Sequence, residues 1–379
     1  MGKKTCVRCV YNEDTPNISF DEQGVCNYCR TQEKLELDYP AGSEGLAKIK
    51  AIAEEIRKAG KGKKYDCVVG VSGGADSSYL VHYIVKELGL RPLAVHFDNT
   101  WNSTIATKNI HCVLDKLGVD LWTYVVDNKE YDDIYKAFFE AGVPDLESCT
   151  DIALAATLNI AAEKFGVHYV IEGHNFRTEG IAPLGWIYMD GKYIKSVHRK
   201  FGKLRMKTYP NMPMHAMLRW MIVRRIQKIR PLWFMSYEKE EVKKFLTAEY
   251  GWEWYGGHHL ENRFTAFYHS YFIPRRFGYD MRMLGYAAHC RTGQMAQAEA
   301  LSKLKEPPYL EPELLEYLKK RLGYSDAEFE RVMNLPKKTY RDYPTYKKTF
   351  ERMRPFFWLM AKMNFIPMSF YMKYTRKDD

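Results

Sequence analysis

The sequence predicts an α/β protein in which helices cover a parallel sheet, with a metal-binding ribbon ahead of the sheet and a helical region behind it. Three observations carry this prediction. Two Cys-x-x-Cys pairs open the chain, apolar runs alternate with amphipathic helical patterns between residues 66 and 172, and from about residue 310 the periodicity is helical. The composition agrees, because 46% hydrophobic and 27% charged residues over 379 positions exclude extensive disorder. No run reaches the ~20 apolar residues of a spanning helix, and the opening Met1 to Cys6 lacks a secretory apolar segment, so a cytoplasmic location is expected. The net charge of +10 is uneven: residues 331–379 hold twelve Lys/Arg against four Asp/Glu, which leaves +2 for the rest. A surface built to grip nucleic acid is therefore not expected.

The first element is the ribbon. Cys6 and Cys9, then Cys26 and Cys29, form two knuckles whose four thiolates suit a tetrahedral metal shell, and Pro16, Asn17, Asp21 and Gly24 supply turns between them. A closed Cys₄ shell leaves no open position, so a structural Zn²⁺ is expected. Next comes a helical pattern from Gly45 to Lys58, ended by Gly60-Lys61-Gly62. Strands are predicted at 66–71, 93–97, 121–126 and 168–172, and helices at about 77–88, 103–117, 131–141 and 150–165. Further helices are expected over Pro312–Leu322 and Asp326–Met333.

The chemistry is expected where the first strand ends, at Ser72-Gly73-Gly74-Ala75-Asp76-Ser77-Ser78. Glycines let the backbone approach a phosphate, and a helix start offers unpaired N–H groups. The loop is not a Walker A sequence. Ser-Gly-Gly-x-Asp-Ser after a buried strand resembles the pyrophosphate loop of the ATP pyrophosphatase superfamily, which implies an adenine-nucleotide α-hydrolase-like fold and cleavage of ATP between its α- and β-phosphates. On that resemblance Ser72, Gly73, Gly74 and Ser77 would hold pyrophosphate, with Asp76 near Mg²⁺, while His96 and Asp98 on the second strand end and Gly173 after the fourth would border the nucleotide.

Longer stretches narrow the resemblance. The ribbon sequences Cys6-Val7-Arg8-Cys9 and Cys26-Asn27-Tyr28-Cys29, the run His96 to Asn102, and Tyr255 to Thr265 with Phe272 to Gly278 are similar to the N-acetyl sugar amidotransferase family of lipopolysaccharide and O-antigen biosynthesis. The likeness runs from the ribbon to about Tyr343. It implies an ATP-dependent ligase that converts a sugar N-acetyl group to an acetamidino group, through an O-adenylyl imidate attacked by ammonia. It also implies an N-acetylated sugar or sugar-acid substrate, free or nucleotide-linked, and ammonia-supplying partners of glutaminase and cyclase-like type. The implied domains are 1–35 (ribbon), 36–255 (nucleotide-binding α/β unit) and 256–379 (substrate recognition, helical region and basic aromatic tail).

His174, Asn175 and Glu179 lie at the same sheet edge, where they can contact nucleotide, metal or the attacking nitrogen; His174 and Glu179 are the catalytic candidates beside Asp76. Asn102, Asn175, His258, His259, Glu261 and Arg263 are the substrate-binding candidates, because they are dense in hydroxyl- and carboxylate-binding groups. Arg275 and Arg276 either meet an anionic substrate or lie on a solvated surface. The basic aromatic tail suits peripheral contact with the inner face of a membrane or packing against the body. A zinc-containing tRNA-thiolating enzyme of the same superfamily is the alternative, but Cys149 lacks the partner cysteine such sulfur chemistry commonly uses.

Overall fold

A computed structural model describes residues 3–257 and 260–377. Five parallel strands form one sheet in the order β3-β2-β1-β4-β5: β1 Cys67–Gly70, β2 Pro92–Asp98, β3 Leu121–Val125, β4 Tyr169–Ile171 and β5 Gln227–Ile229. In register, Val68 faces Leu93 and Val170, and Ala94 faces Leu121. The fold class is the expected one, a parallel α/β sheet with a four-cysteine ribbon and a helical C-terminal region.

Helices α1 Asn27–Asp38 and α2 Gly42–Ala59 precede the sheet; α3 Ala75–His82, α4 Thr104–Leu117, α5 Asn128–Ala141 and α6 Ser148–Lys164 alternate with its strands. Then come α7 Gly191–Phe201, α8 Met214–Leu218 and α9 Lys239–Tyr250. The C-terminal region contains α10 Arg263–Phe267, α11 Ile273–Phe277, α12 Arg282–Thr292, α13 Gln297–Lys303, α14 Leu314–Leu322, α15 Asp326–Met333, α16 Lys347–Arg352, α17 Arg354–Lys362 and α18 Met368–Tyr374.

Alternation along the strands divides the core. Val69 and Ala94 pack with Ile49, Leu80, Ile110 and Leu246 on one face, while Val68, Leu93 and Val95 pack on the other with Ala156, Leu158, Ala161 and Ala162 of α6. A third core joins α5, α7 and the C-terminal helices around Tyr135, Phe138, Phe264 and Phe267. Caps fix where helices start: Ser103 Oγ accepts from Ala106 N at 3.1 Å, and Asp127 Oδ1 accepts from Glu130 N at 2.9 Å.

The expected helix at 77–88 differs in detail. Regular helix begins at Ala75 and ends at His82, and a π-turn over Tyr83–Glu87 completes it. Strand β5 is an addition, and the tail covers its open edge: Lys228 N donates to Asn364 O at 2.6 Å. The tail is mostly packed, with Phe357, Phe365, Ile366 and Tyr374 buried, yet Trp358 and Leu359 stay exposed. Arg276 belongs to neither of its two expected settings, since it is buried and donates to the carbonyls of Val332, Met333 and Leu335.

Candidate active site

The loop after β1 is built to bring backbone close to a ligand. Gly73 has φ +82°, and a Cβ there would stand 2.2 Å from Ala106 O, so only glycine fits. Its carbonyl is held by Trp252 Nε1 at 2.9 Å and Asn109 Nδ2 at 3.2 Å. A Cβ at Gly74 would reach into a cradle formed by Ser72 Oγ, Tyr255 Oη and Glu261 Oε1. Ser72 Oγ and Ser77 Oγ lie 3.2 Å apart, and Ser77 Oγ also receives Ser72 N, so the hydroxyls set the loop's shape from within. A Cβ at Gly173 would stand 3.6 Å from the Ser77 backbone, an ordinary contact.

Asp76, in the first turn of α3, accepts from Tyr237 Oη and from Lys239 Nζ at 3.0 Å. Burial works against the charge on Lys239, but Asp76, Glu179 and Glu261 outweigh it and hold its pKa above the ordinary value. Three carboxylates thus surround one ammonium beside a phosphate-shaped loop. An acidic surplus of this kind suits a hard divalent cation bound together with phosphate oxygens, so the residues fit Mg²⁺ and a nucleotide triphosphate. His174 Nε2 lies 3.5 Å from Glu179 Oε2, which brings two of the catalytic candidates together on the Asp76 side.

The end of β2 forms the other wall. His96 Nδ1 bonds Val71 O at 2.9 Å and its Nε2 faces Asn102 Nδ2 at 3.1 Å, the pattern of a neutral ring; burial lowers its pKa, in keeping with this. Asp98 Oδ1 accepts from Thr100 N at 2.7 Å and from Asn102 Nδ2 at 3.3 Å. The C-terminal region closes on this loop as a short strand-like seam: Ser103 N donates to Glu261 O at 2.8 Å, Arg263 N to Trp101 O at 2.9 Å, and Asn262 Nδ2 to Asn99 Oδ1 at 3.0 Å. Glu261 is thereby delivered to the phosphate loop, while the Arg263 guanidinium lies over the Tyr317 ring. Asn175 is fully buried, and its Oδ1 accepts from Arg177 N in the turn after β4. His258 and His259 lie outside the described residues.

Sequence reasoning missed Tyr237, Lys239, Tyr255 and Arg321. The last donates to Thr100 O and Thr100 Oγ1, pairs with Asp132 at 3.1 Å, and pins a residue whose φ is +64°. Glu172 is also set apart: Lys228 Nζ at 3.2 Å and Arg230 Nη2 at 2.9 Å bracket it, and although burial pushes its pKa up, the two cations bring it down to about 2.

The ribbon lies apart from these groups in its chemistry. The ligand atoms of Cys6, Cys9, Cys26 and Cys29 all lie within 4.8 Å of one another and all four residues are buried, which fits one four-coordinate thiophilic ion. Arg291 of α12 donates from Nε to Cys29 Sγ at 3.3 Å and from Nη2 to Cys9 Sγ at 3.5 Å, and Gln297 Nε2 donates to the carbonyls of Cys6 and Cys9.

Residues 261–355 match the family described as LPS biosynthesis protein WbpG-like, C-terminal domain. The chain is 28% identical over 171 residues to an uncharacterized protein of Methanocaldococcus jannaschii, covering 45% of this chain and 58% of that protein. It is 31% identical over 129 residues to the tRNA-specific 2-thiouridylase MnmA of Proteus mirabilis, covering 30% of this chain and 35% of that one. The chain therefore spans about a third to somewhat over half the length of these relatives. Among solved structures, the U34-tRNA thiolase NcsA from Methanococcus maripaludis superposes with a TM-score of 0.35 at 11% identity, over 86% of this chain and 90% of that one. The NH3-dependent NAD synthetase from Campylobacter jejuni gives 0.33 at 13% identity, over 73% and 93%.

Proposed function

We propose that this chain is an ATP-dependent amidotransferase of bacterial surface-polysaccharide synthesis, which turns an N-acetyl group of a sugar into an acetamidino group with release of AMP and pyrophosphate. The observation that carries the reading is the seam at 261–263, where the segment that matches the lipopolysaccharide-biosynthesis family supplies Glu261 to the phosphate loop.

An amide oxygen is a poor leaving group, so it must be activated before nitrogen can replace it. In the reaction proposed, that oxygen attacks the α-phosphorus of ATP, the bond to the β-phosphate oxygen breaks, and pyrophosphate leaves. Ammonia then adds to the imidate carbon, a proton is lost, and AMP carries the former amide oxygen away. The loop at Ser72 to Ser77 would hold the departing pyrophosphate through backbone N–H groups and the start of α3. Asp76, with Glu179 and Glu261, would hold Mg²⁺, which supplies charge neutralisation of the phosphates. Lys239, which pairs with Asp76 at 3.0 Å, would offer its ammonium to a phosphate oxygen. His174, whose Nε2 lies 3.5 Å from Glu179 Oε2, would take the proton that ammonia sheds.

The state of the thiols favours nitrogen over sulfur as the incoming atom. Outside the ribbon, burial raises the pKa of Cys67, Cys112, Cys149 and Cys290, and Cys149 Sγ is turned onto Leu146 O at 3.0 Å. A persulfide carrier needs an accessible thiolate. The test supplies the purified chain with ATP, Mg²⁺ and ammonium and a panel of free and nucleotide-linked N-acetyl sugars. A product one mass unit lighter than its amide, formed together with AMP, is the expected result; thiolated tRNA with no change in any sugar would refute the reading.

A further inference from the structure

Two seams tie the ribbon to the phosphate-loop site, and the reaction proposed above uses neither. The first runs to the loop after β4. Tyr11 Oη donates to Ile181 O at 2.9 Å, Asn17 Nδ2 to Leu184 O at 3.0 Å, and Leu184 N to Tyr28 Oη at 3.2 Å. Ile181 stands two residues after Glu179, whose carboxylate lies 3.5 Å from His174 Nε2 and helps hold the charge on Lys239. Gly180 between them has φ +83°, and a Cβ there would strike Leu284 O of α12, so the loop lies close against that helix as well as the ribbon. The second seam runs along α12. Arg291 donates to Cys9 and Cys29, Gln294 Nε2 just past the helix donates to Tyr237 O at 3.0 Å, and the Tyr237 hydroxyl donates to Asp76. Glu179 is thus carried by a loop docked on the ribbon, and Asp76 is gripped by a tyrosine whose backbone the end of α12 holds.

A bound ion gives the ribbon a shape to transmit. Its own core is small: the four cysteines with Val10, Tyr11 and Tyr28, closed by Ala287 of α12 and Ala300 of α13. So little buried apolar area does not order a segment alone, and thiolate–metal bonds supply what is missing. Sulfur separations of 3.8 Å (Cys6 to Cys29), 3.8 Å (Cys9 to Cys26) and 3.6 Å (Cys26 to Cys29) suit a single ion. A tetrahedron with ~2.3 Å bonds has edges of about 3.8 Å. Tyr11 lies two residues after Cys9, and Tyr28 lies between Cys26 and Cys29, so both tyrosine anchors of the first seam take their positions from metal ligands. The second seam starts at the sulfurs themselves, where Arg291 offers a cationic donor to two of them.

We propose that the metal-loaded ribbon positions the phosphate-loop site, with Tyr11 and Gln294 as the positioning residues that set Glu179 and Asp76. That a nucleotide occupies the site rests on the function proposed above; the mechanical tie does not. In the full chain, zinc affinity is measured by competition with a chelator, with and without Mg²⁺ and a non-hydrolysable ATP analogue. Coupling between two sites is reciprocal, so bound analogue should raise zinc affinity about fivefold or more. Tyr11→Phe and Gln294→Met each remove one donor that touches neither metal nor nucleotide. Each variant should still bind one zinc, yet weaken the Mg²⁺–analogue complex about threefold or more in calorimetry. A second readout needs no nucleotide: amide hydrogen exchange of the full chain before and after zinc removal. Exchange should quicken over 179–184 and 237–239, with the Leu184 N–H as a direct reporter, while β1 to β3 keep their protection. Faster exchange in those segments, in a protein that binds no analogue, would sustain the positioning role and remove the nucleotide reading. Zinc affinity unmoved by bound analogue would overturn the proposal, as would analogue affinity indifferent to both variants. So would unchanged exchange in the two segments, or protection lost evenly across the sheet, which would make the metal a general support.

Discussion

Lys239 settles the charge of the phosphate-loop site, and nothing near it in sequence announces this. Its partner Asp76 is 163 residues away, and Tyr237, which also donates to that carboxylate, is 161 residues from it. The resemblance of the contiguous loop and helix start to a known pyrophosphate loop singled out Asp76, but a contact made by folding α9 over the loop has no local signature. Asp76→Asn retains the Tyr237 hydrogen bond and the fold while removing the charge needed for a divalent cation. AMP formation should fall by about two orders of magnitude or more, equivalent to ~2.7 kcal/mol in barrier. An unchanged AMP-forming rate in single-turnover assays would show that Asp76 is outside the chemistry.

Glu172 gives a prediction in pH. Burial opposes its ionisation, but Lys228 and Arg230 hold the folded pKa at about 2, below the unfolded value of about 4.3. Because the folded value is the lower one, this carboxylate's stabilisation is complete above about pH 4.3 and is lost as pH falls toward 2. The contribution is at most about 3 kcal/mol on this shift. Glu172→Gln leaves two cations facing a neutral amide and should destabilise by about 3–5 kcal/mol near neutral pH. The variant's denaturant midpoint should also vary less between pH 5 and about 2.

At the scale of elements, what could be read in sequence followed length and local contrast. Strand β1 is an apolar run and β2 is one interrupted only by His96, each ended by loop residues, and α15 begins at Asp326 and ends at Met333 as its pattern requires. Strand β5 is Gln-Lys-Ile, three residues without a run or an alternation, so no period marks it. It forms because His168 O and Asn364 O receive its N–H groups. The loop after β1 offers a sharp test of shape. Gly73→Ala forces a Cβ into Ala106 O and a left-handed φ on alanine, the latter alone worth about 1–2 kcal/mol. The variant should lose nucleotide binding in calorimetry before it loses its sheet in circular dichroism. In the ribbon, Cys26→Ser opens a closed thiolate shell. Metal content measured by atomic emission should fall by half or more, with a melting temperature lower by several degrees. Full metal occupancy in that variant would remove Cys26 from the centre.

Across the whole molecule, the C-terminal region shares a broad aromatic core with α5 and α7 and reaches the sheet's loops through a few polar seams. Glu261 to Arg263 close the end of β2, Arg321 fixes Thr100, and Arg291 with Gln297 completes the ribbon. This is why the fold class was legible in the first half of the sequence and the full site was not: its second half arrives from far along the chain. The nitrogen and sulfur readings separate at this scale too. Cys149→Ser leaves a buried hydroxyl where a buried thiol faced Leu146 O, and ammonium-dependent product should form at a rate within about threefold of the native one. Abolished activity in a folded Cys149→Ser protein, with a persulfide found at Cys149, would favour sulfur transfer.

The tie between Arg291 and the ribbon has a consequence for biogenesis. Cys9 and Arg291 are 282 residues apart, and at a synthesis rate of about 5–20 residues per second the guanidinium reaches a ribosome's exit about 15–60 s after the thiols do. For that interval the four sulfurs compete for metal and oxidant without the cation that later shields two of them. Metal supply during translation, rather than affinity in the finished protein, would then set the fraction of chains that mature.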